Sequence, residues 1–365
     1  MDTEQKTKIM LLTKQLDPNP RGGRELLCAL NYRALKDIFG ESVILTELLF
    51  HQVRGVKARL AAFMGHIDGL NSNTLQSIVE RASIGNVQKI FVDGSNLGAA
   101  VAKLKISLPN VEIITFFHNV EARFFWGSFL LSKSFHAFGV LVANYLAERK
   151  AVRFSDKRIC LSGRDSKLLK RLYGRGATHI SPITLEDKLP HPANYLAEST
   201  GAHFCLFVGG NFYANREGIK WYARHVAPQV EIKTVVVGRG LAAMKSELDI
   251  PGKLEVIGEV DDLADWYHRA QFVIAPIFDG SGMKTKVAEA LMYGKKVVGT
   301  PEAFSGYECI ADKAGWICTT SEEFSASIGI ACKEINLSFF PELRLTYEQL
   351  FSYSAAATRI RKILA

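Results

Sequence analysis

Cysteine pairs are missing from this sequence. The six cysteines, at 28, 160, 205, 309, 318 and 332, include no C-x-x-C pair, and most sit in apolar runs. That argues against a disulfide framework or a thiolate zinc site, and for reduced, buried thiols in a reducing compartment. No D-x-D and no metal-spaced His/Cys cluster stands out, so no metal and no other cofactor is expected. The N-terminal MDTEQKTK lacks an apolar segment, so no signal peptide is expected. The longest apolar run, Ala137–Ala147, is too short to span a bilayer. There is no basic array interleaved with aromatics and no recognised nucleic-acid motif, which puts nucleic acid last among the partners. The expected location is the cytoplasm, including the inner face of a membrane.

What is present is an uneven positive charge. Of the net +8, residues 1–190 carry 27 Lys+Arg against 17 Asp+Glu, and the remainder 18 against 20. A basic first half suits anionic partners, such as acidic lipid head groups or a lipid-linked pyrophosphate, or is simply a solubilising surface. A chain of 365 residues has room for two domains, each with its own core. Apolar strand-like runs alternate with helical patterns twice over. The first array comprises Lys8–Thr13, Ser42–Thr46, Lys89–Asp93, Glu112–Phe117, Arg158–Ser162 and Thr178–Ser181. Pro182–Ala202 holds three prolines and no periodicity, and reads as a linker. The second array comprises His203–Gly209, Val235–Gly238, Lys253–Ile257, Phe272–Pro276 and Lys296–Gly299. The expected fold class is α/β, with two doubly wound Rossmann-like domains, 1–185 and 186–343, facing a cleft, then a helix over 344–365.

The most informative stretch is Pro276–Thr300, PIFDGSGMKTKVAEALMYGKKVVGT. It reads as a strand end, a Gly-Ser-Gly turn, an amphipathic helix and a second buried strand. Ser281 is the expected N-cap, and Gly280 and Gly282 let the backbone approach a ligand. Helical spacing puts Gly282, Lys286, Glu289 and Tyr293 on one face, beside an apolar stripe of Val287, Ala290 and Leu291. The first-turn N–H groups with Lys284 and Lys286 make an anion site. Glu289, two turns in, suits the vicinal hydroxyls of a ribose. Together they suggest a nucleotide diphosphate. The alternative is a solvated Lys/Glu helix with an i, i+3 ion pair.

GSGMKTKVAEALMYGKKVV resembles the donor-site segment of GT-B glycosyltransferases of family 4, in the variant with a Gly-Ser-Gly loop followed by basic residues. The commoner pattern has two glutamates separated by seven residues; Glu289 matches the second, and the first falls on Ser281. The resemblance extends to FVGGNFYANREGIKW, where Gly210 stands in place of a usual arginine, Arg216 falls near the second basic position and Asn215 matches the asparagine of the variant. It also covers the Gly22–Gly23 loop, which in the family lies beside the donor phosphates, and His118 in HNVE, which in the family approaches the donor sugar. The resemblance implies donor binding by Gly22, Gly23, Gly210, Asn215, Arg216, Arg239, Ser281, Gly282, Met283, Lys284 and Thr285, with His118, Lys286 and Glu289 as catalytic residues. It further implies retention at the anomeric carbon, a nucleobase near Gly258–Val260, and a terminal helix that crosses back to the first domain.

Other segments bear two readings each. His51–Gly69, with Arg54, Lys57 and Arg59, is a basic amphipathic helix that packs on the core or lies on a membrane. Phe124–Ala147 is apolar and aromatic, one or two helices, packed or partly exposed for a lipid-bearing acceptor. Asn119 and Glu121 read as caps for the helix after them rather than as acceptor ligands. VVVGRGLAAM imitates a dinucleotide fingerprint but sits on the second strand of the second array, so it reads as a tight turn. The expected function is a retaining glycosyltransferase that takes a UDP- or GDP-sugar donor and a glycan or lipid-linked acceptor, in surface polysaccharide or glycolipid synthesis, with peripheral contact to an anionic membrane. The alternatives are a nucleotide-sugar epimerase of the same fold and a non-catalytic nucleotide-sugar-binding partner.

Overall fold

The computed structural model describes residues 7–18, 20, 23–49, 56–189, 204–335 and 339–365, and side chains from 60 onward in the helix that begins at Val56. By its internal contacts the chain divides into two compact units, Met1–Thr184 with Ala356–Ala365, and Leu185–Ala355.

The first unit runs β1 (Ile9–Lys14), α1 (Gly23–Phe39), β2 (Val43–Leu48), α2 (Val56–Phe63), α3 (Ser72–Ile84), β3 (Lys89–Asp93), α4 (Gly98–Ser107), β4 (Glu112–Phe117), α5 (Glu121–Ser132), α6 (Phe135–Phe154), β5 (Lys157–Cys160), α7 (Gly163–Tyr173) and β6 (His179–Ile180). Its six strands pair in parallel in the order β2-β1-β3-β4-β5-β6. Parallel strands covered by helices on both faces must be apolar throughout, and the buried runs Ile9–Leu12 and Ile90–Val92 meet that demand. Local chemistry sets the helix ends. The Asn71 side chain caps the start of α3 in a reciprocal box with Thr74, and Ser162 caps α7, which Gly174 closes in a left-handed conformation. The apolar stretch 124–147 is two helices, α5 and α6. They break at Lys133, whose φ of +47° ends α5, and Ser134, whose hydroxyl caps α6.

The second unit runs β7 (Phe204–Val208), α8 (Tyr213–His225), β8 (Lys233–Val237), α9 (Lys245–Leu248), β9 (Leu254–Gly258), α10 (Ala264–Arg269), β10 (Phe272–Ala275), α11 (Thr285–Met292), β11 (Val297–Gly299), α12 (Ala311–Ala314), β12 (Gly315–Ile317), α13 (Ser321–Glu334) and α14 (Pro341–Leu350). The strand order is β12-β11-β10-β7-β8-β9, again all parallel. β12 has no counterpart among the sequence expectations. The tail is two helices rather than one from Arg344: α14 stops at Leu350 and α15 (Tyr353–Leu364) follows. From Ala356 onward α15 belongs to the first unit, where the Ile363 carbonyl accepts a 2.6 Å hydrogen bond from Lys157 Nζ.

In each sheet the chain starts in the middle and reverses its direction of travel. The switch falls between β1 and β3 in one sheet and between β7 and β10 in the other. Open parallel sheets bind ligands at the carboxyl ends of strands beside such a switch.

Candidate functional site

In the second unit, the loops after β7, β8 and β10 meet at the switch point. The centre of this edge is Gly209, one residue beyond β7. A Cβ there would lie 2.8 Å from Lys286 Nζ and 2.9 Å from Asn215 Nδ2, so both side chains converge on bare backbone. A Cβ on Gly238, after β8, would lie 1.8 Å from the Gly209 carbonyl oxygen, which is why the two loops need glycines to touch. Asn215 Nδ2 donates to the Gly210 carbonyl at 2.8 Å, and Asn211 N donates to the Arg239 carbonyl at 2.9 Å. Arg216 is half-buried, with Nη1 3.5 Å from Asn211 Oδ1, and Arg239 is exposed.

After β10 the Gly-Ser-Gly loop needs its glycines, with φ of +137° at Gly280 and +64° at Gly282. That left-handed backbone postpones the helix. Ser281 is not the N-cap: α11 begins at Thr285, and the capping position is Lys284, whose backbone is extended and whose side chain makes no cap. Gly282 therefore lies outside the helical face assigned to it. Lys284 also departs from its expected role. Its ammonium donates to Glu302 Oε1 at 2.8 Å and to the Gly282 carbonyl at 3.0 Å, so it straps the loop rather than standing ready for an anion. Met283 buries its side chain where a Cβ on Gly306 would stand, 2.4 Å from Met283 Cγ, leaving only its backbone for a ligand. Tyr213, in the first turn of α8, donates to Asp279 Oδ2 at 3.1 Å and ties that helix to the loop.

Lys286 is different. It is 8% exposed, its Nζ lies 5.3 Å from the centre of the Phe207 ring, and among the described residues its ammonium makes no hydrogen bond. Burial pulls its pKa from 10.5 down to about 8, Lys284 pulls the same way and Glu289 opposes them. The first-turn N–H groups of α11 lack intrahelical partners, so the turn that carries this cation is also the positively polarised end of its helix. Glu289 is half-buried, and the Tyr267 hydroxyl donates to its Oε2 at 3.1 Å. Tyr267 stacks on Tyr293 at 4.4 Å and 12°, and burial holds its hydroxyl protonated. Gly209, Phe207, Tyr267 and Glu302 escaped the sequence reading; only Gly209, in the pair after a buried strand, carried a local signal.

The first unit has its own cluster beside its switch point. His118 Nε2 lies 2.7 Å from Asp93 Oδ1 and 3.7 Å from Cys28 Sγ, and Asn31 Nδ2 donates to Asp93 at 3.1 Å. Burial pushes the Asp93 carboxyl up, but His118, Cys28 and Asn31 outweigh it and hold the pKa below its ordinary value. His118 Nδ1, Asn119 Oδ1 and Arg24 Nε are buried without a hydrogen-bond partner among the described residues. With Nε2 committed to Asp93, Nδ1 is the ring atom left for a further hydrogen bond. Cys28, Asp93 and His118 each place a potential metal-ligand atom within 4.8 Å of the others, a cluster no sequence spacing revealed. The 2.7 Å His–Asp separation is a hydrogen bond, and burial drives the Cys28 thiol pKa upward, so the trio reads as a hydrogen-bonded set rather than a thiolate metal site.

Asn119 and Glu121 do not cap α5. Its free amides are taken by Glu148 of α6, which accepts from Glu121 N at 2.9 Å and Ala122 N at 3.2 Å. Glu121 is instead a buried carboxyl whose pKa burial raises to about 7, against the pull of Arg24. Gly23 opens α1; Gly22, Arg54 and the side chains of Lys57 and Arg59 lie outside the described residues.

Comparison with known proteins identifies the architecture. The chain is similar to HepE from Anabaena, solved with UDP, at 15% identity and a TM-score of 0.68, covering 98% of this chain and 99% of that one. Sucrose-phosphate synthase from Thermosynechococcus elongatus gives 15% identity and a TM-score of 0.72, covering 98% of each chain. The fold is GT-B. A third structure of similar build is the lipopolysaccharide outer core galactosyltransferase WaaB in its apo form, at 13% identity and a TM-score of 0.62, covering 98% of this chain and 99% of that one. Within the GT-B chain, residues 202–333 match the family described as glycosyl transferases group 1. No curated protein sequence matches it. No described helix is long and apolar enough to cross a membrane.

Proposed function

We propose that this protein is a retaining glycosyltransferase that moves a sugar from a nucleotide-diphospho-sugar to a hydroxyl of a glycan or lipid-linked acceptor. The observation that carries the reading is Lys286, a buried ammonium without a hydrogen bond among the described residues, beside bare backbone at a strand end, with Glu289 farther along the same helix. A desolvated cation costs free energy unless an anion meets it. The match of residues 202–333 to group 1 glycosyl transferases supports the reading, as does the fold shared with HepE, solved with UDP and with UDP-glucose.

In this mechanism Lys286 and the first-turn amides of α11 hold the diphosphate and stabilise the charge that develops as it leaves. Glu289, oriented by Tyr267, accepts from the ribose hydroxyls. The bond from the anomeric carbon to the β-phosphate oxygen breaks with its electron pair passing to that oxygen. The acceptor oxygen bonds to the same face of the anomeric carbon, and the departing phosphate oxygen takes the acceptor's proton. His118, fixed through Nε2 by Asp93, accepts a substrate hydroxyl at Nδ1. Lys286 and the helix-end amides thus do the work that a metal would otherwise do.

The reading is tested by thermal shift with UDP, GDP and their sugars, followed by NMR of the anomeric proton in the product. A melting-temperature rise with one nucleotide and a retained anomeric configuration are expected. An inverted product overturns the mechanism. Release of an epimerised sugar without any acceptor overturns the transferase reading in favour of an epimerase.

A further inference from the structure

A second feature of the first unit is a surface that water should disfavour. α5 and α6 pack together through Phe129 and Phe138, whose rings are 5.6 Å apart. The turn between them is wholly exposed over residues 131–136. It presents Leu131 at 61% exposure and Phe135 at 98%, and Trp126, Leu130 and Phe138 continue the exposed apolar face along the two helices. α2 packs on α6 and adds Leu60, Phe63 and Met64; Phe63 Cζ lies 3.9 Å from where a Cβ of Gly139 would stand. Scattered exposed apolar residues need no explanation, but a contiguous patch marks an interaction surface.

The charge around this patch decides the partner. Along the chain no acidic residue occurs between Glu121 and Glu148, a span that includes Arg123 and Lys133, or from Leu60 to Ile67. Lys133 sits at the apex of the turn, between the most exposed leucine and phenylalanine. Aromatic and aliphatic side chains around a cation, with no carboxylate in either stretch, match the boundary between acyl chains and anionic head groups. A two-fold dimer through the same tip would bring two Lys133 ammoniums toward each other, which disfavours a second copy.

We propose that the α5–α6 tip, together with Leu60, Phe63 and Met64, docks this protein on an anionic phospholipid bilayer as an interfacial anchor that does not span it. The proposal is independent of the transferase reading. The test is co-sedimentation of the full chain, without nucleotide, with vesicles of phosphatidylcholine alone or mixed with phosphatidylglycerol, at low and high salt. Binding is expected only to the mixed vesicles and is expected to fall with salt. Phe135→Ser with Leu131→Ser should weaken it roughly tenfold or more, from the apolar area no longer buried. Lys133→Gln should weaken it about fivefold, from one lost charge at the surface. Because these side chains are exposed, circular dichroism should be unchanged. Ile84→Ser, removing an 87% exposed side chain from α3, should bind as wild type. Failure of the wild type to bind mixed vesicles overturns the proposal, and so does binding indifferent to the tip substitutions. A concentration-dependent dimer that the tip substitutions abolish, without vesicle binding, assigns the surface to a second copy instead.

Discussion

Replacing Lys286 with methionine should make the protein more stable and unable to bind its donor. The folded-state pKa of about 8, against an ordinary 10.5, means that the unfolded chain holds this proton more tightly than the native one. At roughly 1.4 kcal/mol per unit, keeping the ammonium charged in its buried place costs about 3 kcal/mol at neutral pH. The sign follows from linkage. The cost is fully present below pH 8 and fades as the pH rises from 8 toward 10.5, where both states lose the proton. Methionine fills similar space without the charge, so Lys286→Met should gain about 2 kcal/mol at pH 7 after imperfect packing, or roughly 4–8 °C in the melting of a unit of this size. At pH 9.5 the gain should shrink. Nucleoside diphosphate should raise the wild-type melting temperature and leave the variant unmoved. Melts at pH 7 and 9.5, with and without UDP or GDP, read all of these at once. A variant less stable than wild type at pH 7, or one that keeps the nucleotide shift, would refute the assignment of Lys286 as a cation held in reserve for an anion.

Three further substitutions separate binding from folding. Gly209→Ala places a methyl 2.8 Å from Lys286 Nζ and 2.9 Å from Asn215 Nδ2, both side-chain ends that can swing away; the fold should survive while nucleotide affinity, by calorimetry, drops about tenfold or more. Tyr267→Phe removes the 3.1 Å hydrogen bond to Glu289; the donor KM should rise by a few-fold with kcat little changed, since about 1 kcal/mol of orientation is lost in ground and transition states alike. Lys295→Met should lack the stability gain of Lys286→Met, leaving the melting temperature level or lower, and should leave the nucleotide-induced shift intact.

Much of this architecture was legible in the sequence where the information is local. β3 and β4 fall at Lys89–Asp93 and Glu112–Phe117, the residues that apolar runs bounded by turns single out, because strands covered on both faces tolerate little else. α7 and its glycine stop are written in the chain as well. Lys286 and Glu289 were legible because helical spacing holds them in α11 wherever that helix begins. Its beginning was not legible. Serine is a good cap, but a glycine at +64° directly after it cannot continue as a helix, and nothing in the local sequence gives that angle. The His118 cluster was out of reach for a different reason: its partners lie 25 and 90 residues away along the chain, brought together only by sheet order. The Glu148 cap on α5 is likewise a tertiary contact that displaces the nearby Asn119 and Glu121.

Two buried lysines in the second unit show how a structural cation differs from one kept for a ligand. Lys295 is 1% exposed, and burial alone pulls its pKa to about 7. Yet its ammonium donates to the carbonyls of His268 at 3.0 Å and Ala270 at 2.7 Å, at the end of α10, where unpaired carbonyls and the negative end of the helix dipole favour a cation. Removing it leaves two carbonyls orphaned, at about 1–3 kcal/mol each, which offsets the desolvation that methionine relieves, so Lys295→Met should gain none of the stability that Lys286→Met gains. Lys286 is buried almost as deeply, but it faces the ring of Phe207 and the backbone at Gly209, with no carbonyl or carboxylate accepting from it among the described residues. A desolvation cost met inside the protein is part of the fold. One left unmet at a strand end, in the first turn of a helix, is offset only when an anion arrives, and the free energy released then contributes to binding it.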